Sequence, residues 1–79
     1  MYQLRITVIH TLGRFSGFIP IKDPDAEYTF EGMSELAEAL QYQVNNMERL
    51  VLMQNDGSEI AFGRNILKDS IFTFKVEEL

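Results

Sequence analysis

The sequence predicts an α+β fold, a single amphipathic helix packed on a mostly antiparallel sheet, in the order β-β-(β)-α-β-β-β. Three observations predict it. Residues 32–47 form the only long stretch with helical periodicity: Met33, Leu36, Ala37, Leu40, Val44 and Met47 recur at steps of three and four and share one face. The segments before and after it alternate in polarity as strands do. Between two of those segments stands Asn55-Asp56-Gly57, a strong hairpin signal. One helix cannot bury its apolar stripe alone, so it must lie on the sheet that the flanking segments make.

The elements follow in order. In residues 2–10, Tyr2, Leu4, Ile6, Val8 and His10 take one side and Gln3, Arg5, Thr7 and Ile9 the other, a half-buried strand. Residues 11–14 contain Gly13 and read as a turn. Residues 15–21 are a second apolar strand, interrupted by Gly17 and ended by Pro20, which predicts an edge strand or a bulge, hairpin-paired with the first. Residues 22–27 are a loop around Asp23-Pro24-Asp25, and 28–30 a short β-prone piece. Gly32 then reads as the helix N-cap, with Glu35 three residues on and able to meet free backbone amides. Asn45 and Asn46 stand where a left-handed C-terminal residue is often needed.

Residues 49–54 are apolar on both faces, as a central strand is. Gly57 suits the left-handed position of a three-residue loop. The return strand covers 58–64 with Ile60 and Phe62 inward, and 65–69 form a turn or a single helical turn holding Ile66 and Leu67. The last strand covers 70–77, with Phe72, Phe74 and Val76 on one side.

With 79 residues there is room for a single domain, 1–79, and a modest core. No cysteine is present, so no disulfide framework and no thiolate metal site is expected. No apolar run is long enough to span a bilayer, and the first residues do not read as a signal peptide. A cytoplasmic protein without membrane contact is the expectation. The net charge is −5. Residues 22–38 hold six acids (Asp23, Asp25, Glu27, Glu31, Glu35, Glu38) against one base, Lys22, and so carry all of it. Such a chain is a poor nucleic-acid binder, since phosphate contacts need Lys and Arg. A focused acidic patch suits a basic partner, or a protein whose own surface grips DNA.

No constellation of catalytic type stands out. The acids at 23, 25 and 27 lack the central glycine and distal glutamate of a calcium loop, and read as solvated charge. His10 is the only histidine, with no soft or imidazole co-ligand, so no metal and no cofactor is expected. The rings of Tyr2, Phe15, Phe18, Phe62, Phe72 and Phe74 would make a nucleic-acid platform only with interleaved bases; core packing explains them better. Tyr42 falls away from the Met33–Met47 stripe, beside Glu35 and Glu38, as an interface anchor would.

One wider likeness exists. The order Tyr28-Thr-Phe30, Leu36-Ala-Glu-Ala-Leu40, Leu50-Val-Leu-Met-Gln-Asn-Asp-Gly57, Glu59-Ile-Ala-Phe62 and Ser70-Ile-Phe-Thr-Phe74 resembles small accessory proteins of bacteriophages and prophages of low-GC Gram-positive bacteria. The resemblance covers about fifty residues and is one of style. It implies a viral, non-enzymatic protein that acts by binding, in the host cytoplasm; it assigns no functional residue. The expected function is therefore a protein-interaction module. Its candidate partner-binding residues are Asp23, Asp25, Glu27, Glu31, Glu35, Glu38 and Tyr42. The alternative is a self-assembling subunit, a homodimer or larger homo-oligomer, with edge strands and Ile9, Phe18 and Ile71 between protomers.

Overall fold

A computed structural model describes residues 1–20 and 28–79. Five strands form one sheet: β1 (Tyr2–His10), β2 (Gly13–Phe18), β3 (Arg49–Met53), β4 (Glu59–Gly63) and β5 (Ile71–Glu78). Helix α1 (Phe30–Gln41) follows β2, a single 3₁₀ turn (Val44–Asn46) leads into β3, and a short helix α2 (Arg64–Leu67) joins β4 to β5. The strand order is β4-β3-β2-β1-β5, and every neighbouring pair is antiparallel. The α+β class stands as the sequence predicts.

Strand alternation builds the core. Leu4, Ile6 and Val8 on β1, Leu50 and Leu52 on β3, and Phe62 on β4 are buried on one face of the sheet. Met33, Ala37 and Leu40 of α1 cover that face, with Val44 of the 3₁₀ turn and Leu67 of α2 closing one end. Leu36 and Met47, the flanks of the helical stripe, are half-buried against this cluster. The opposite face of the sheet is open, which an antiparallel sheet tolerates because most of its outward side chains are polar, although apolar Ile9, Phe18, Val51, Met53 and Ile71 stand among them.

Several local expectations are corrected. The piece at 28–30 is not a strand. Tyr28 contributes one backbone acceptor to the amide of Tyr2, at 2.9 Å, and Phe30 already begins the helix. The N-cap is Thr29, not Gly32: its Oγ1 accepts the Gly32 amide at 3.0 Å. The hydroxyl satisfies a first-turn donor that glycine, lacking a side chain, leaves to water. Glu35 thus falls in the second turn, and only Glu31 lies in the first. The α-helix ends at Gln41, short of Met47, and no described non-glycine residue has positive φ, so Asn45 and Asn46 are not left-handed caps. Asn45 instead clamps the 3₁₀ turn to α2, its amide donating to the carbonyls of Leu67 (2.8 Å) and Ser70 (3.2 Å).

Strand β2 is interior, not an edge, and its register with β1 runs unbroken through Gly17, so there is no bulge. Gly17 is required by close approach: a Cβ there would lie 2.8 Å from Leu52 Cβ and 2.9 Å from the Met53 carbonyl oxygen. The Asn55-Asp56-Gly57 loop forms as expected. Gly57 takes φ +87°, and Asp56 Oδ1 accepts the Ser58 amide at 2.9 Å. Hydrogen bonds from the Ser58 hydroxyl and amide hold the exposed Asp56 carboxyl below its ordinary value.

Candidate functional site: the acidic ridge of α1 and the open sheet face

Two surfaces are candidates, and the helix supplies the first. At about 100° per residue, Glu31, Glu35, Glu38 and Tyr42 fall within an arc of roughly 60°. They lie on the side of α1 away from Met33, Ala37 and Leu40. All four are exposed, Tyr42 at 80%. Among the described residues the ion pairs are Arg5–Glu77 (2.8 Å) and Arg64–Glu48 (3.1 Å), and neither touches this ridge. Asp23, Asp25 and Glu27, the other three candidates, lie outside the described residues.

The open face of the sheet is the second surface. Cross-strand register places Arg5, Arg14, Arg49 and Lys75 there against two acids, Glu59 and Glu77. The face is therefore net basic in a chain of net charge −5. Its centre is Arg5. Nε of Arg5 donates to Glu77 Oε1 at 2.8 Å, a second nitrogen reaches Ser16 Oγ at 3.3 Å, and the guanidinium carbon stands 5.9 Å from the Phe18 ring centroid. Gln3 donates to the same Glu77 oxygen at 2.9 Å. Burial acts to raise the Glu77 carboxyl. The hydrogen bonds from Gln3 and Arg5, with the charges of Arg5 and Lys75, outweigh it and hold that carboxyl below its ordinary value.

Alternation along β1 already placed Arg5 on this side. What no local pattern supplied was the strand order, which sets Arg5 between Lys75 and Phe18. Of the rings considered as a stacking platform, only Phe18 is on the open face. Tyr2 and Phe30 meet edge to face at 5.6 Å, as do Phe15 and Phe62 at 5.7 Å, on the covered side. Ile9 and Ile71 are register partners, with Ile71 68% exposed, but Phe18 stands apart from them beside Arg5.

His10 has a local duty. Its Nδ1 accepts the Leu12 amide at 3.1 Å and so ties the β1–β2 turn. Two open grooves flank the core. One, of about 550 Å³, runs beside β5 past Phe72, Phe74, Val44 and Asn45. The other, of about 530 Å³, is lined by Ile19, Tyr28, Leu36, Met47 and Leu50. Among the described residues no three His, Asp or Glu side chains are grouped as metal ligands would be. None of the helices there is long and apolar enough to cross a membrane. No family model, no curated protein and no solved structure matches this chain.

Proposed function

We propose that this protein is a small non-enzymatic interaction module that engages a basic protein surface through the ridge Glu31-Glu35-Glu38-Tyr42. One observation carries the reading: three carboxylates and an exposed aromatic ring are aligned on the solvent side of α1, with no described base of the protein neutralising them. Charges left unpaired on a rigid element steer a partner of opposite sign, and a tyrosine among them supplies apolar contact area. Where the partner is a protein that grips DNA, the carboxylates stand in for phosphates. The resemblance to phage accessory proteins supports action on a host or viral protein. A second reading, a self-assembling subunit, draws on the long free edge of β5.

Affinity capture from a bacterial lysate tests the first reading. Proteins held by the wild-type chain should be basic, released by duplex DNA, and lost as salt rises past the range where screening shortens to a few ångströms. The triple variant E31K/E35K/E38K should hold none of them while keeping its helical circular dichroism. Capture that persists in the variant, or that ignores salt, sinks the charge-led mechanism.

A further inference from the structure

Strand β5 ends the sheet, and among the described residues no segment pairs with its outer backbone. The Ile19 amide donates to the Leu4 carbonyl, so Leu4, Ile6 and Val8 direct their backbone groups toward β2. Gln3, Arg5, Thr7 and Ile9 therefore bond to β5, through Glu77, Lys75, Thr73 and Ile71. The amides and carbonyls of Phe72, Phe74, Val76 and Glu78 point outward along an eight-residue edge. No proline or bulge interrupts that edge, although such devices commonly blunt one. The opposite edge, β4, has five residues and runs directly into α2.

We propose that β5 is a homodimer edge, pairing antiparallel with β5 of a second copy about a two-fold axis at Val76. Charge selects the occupant and the register. On the open face β5 presents Ile71, Thr73, Lys75 and Glu77. Centring the two-fold on Lys75 or Glu77 opposes each residue to its own copy, and centring on Thr73 sets Glu77 against Asp69; like charges directly opposed are destabilising. Centring on Phe74 leaves Glu77 against Ile71. Centring on Val76 sets Lys75 opposite Glu77 of the second copy, twice by symmetry. It also gives the exposed Leu79 (63%) a neighbour in Thr73 of that copy. The Glu77 oxygen that takes Arg5 and Gln3 is Oε1, which leaves Oε2 for the incoming ammonium. Six new backbone hydrogen bonds, two between the Val76 residues and four between Phe74 and Glu78, would join the copies into a ten-stranded sheet. Both α1 helices then lie on the same side, and the two acidic ridges face one way.

Sedimentation velocity over low to high micromolar concentration, at low salt, tests this. A reversible monomer–dimer equilibrium is expected. K75E should weaken it by about tenfold or more, since two opposite-charge contacts become like-charge ones. The swap K75E/E77K should restore it, and it keeps an intramolecular partner for Arg5, which Glu at 75 would face. E78P should abolish it, because proline removes an outward amide and is tolerated at an edge. Thermal unfolding of each variant separates lost association from lost folding. A strict monomer at every concentration overturns the proposal. So does a dimer indifferent to K75E and E78P.

Discussion

The sheet has two unequal parts. Strands β2, β1 and β5 are laddered continuously, β1 pairing with β5 from Tyr2 to Ile9 and with β2 from Arg5 to His10. The β3–β4 hairpin is internally laddered from Arg49 to Met53, yet among the described residues it joins β2 through the single pair Phe18 and Met53. The three-stranded part is held by backbone hydrogen bonds and the Arg5–Glu77 ion pair. The hairpin is held mainly by side chains: Leu50, Leu52 and Phe62 in the shared core, and the Phe15–Phe62 ring contact that crosses the seam. Packing carries much of the join between β2 and β3 among the described residues, and such a seam is sensitive to side-chain volume.

The largest test of that contrast removes the hairpin's deepest anchor. Leu52 is fully buried, and Leu52→Ala should cost about 2–5 kcal/mol in urea unfolding. Hydrogen exchange should show the β3–β4 amides losing protection ahead of those in β1 and β5. Equal loss across both parts would show that the seam does not divide the sheet.

Next comes the seam itself. Gly17→Ala sets a methyl group against the Leu52 Cβ and the Met53 backbone, and backbone cannot swing aside. A loss of about 1–3 kcal/mol is expected, again with the hairpin loosening first.

The smallest effect sharpens the other side. Glu77 is tied within the three-stranded part, and its carboxyl lies below the ordinary value of 4.5. The folded state therefore binds its proton less readily than the unfolded one. Its contribution is present above about pH 4.5 and is lost as pH falls through the lower, folded value. Glu77→Gln should flatten the decline of stability below that pH without altering the hairpin's protection.

Much of this was readable beforehand, and the gaps have causes. Local pattern located all five strands, and alternation separated the faces of β1, β4 and β5, because each reports its own half-buried environment; β2 reads only as an apolar segment and β3 as apolar on both faces. Strand order was hidden because it depends on pairings between distant segments. That is why β2, carrying Gly17 and followed by Pro20, reads as an edge when it is interior. Thr29 does not read as the cap because Tyr28 and Phe30 make their neighbourhood look β-prone, while Gly32 is a plausible cap by type. The ridge of Glu31, Glu35, Glu38 and Tyr42 was legible from spacing alone. The basic open face was not, since Arg5, Arg14, Arg49 and Lys75 fall on one face only once four strands are in register.

The pairing of β1 with β5 reaches across almost the whole sequence, down to the Leu79 amide on the Met1 carbonyl at 3.0 Å. Strand β1 must wait for the distant β5 before the ladder between them can close. Loop-closure entropy is spent before that ladder returns anything, so folding should be slow for a chain of this size. Until then the apolar side of β1 lacks that cover, and a chain in this state is open to wrong strand pairing.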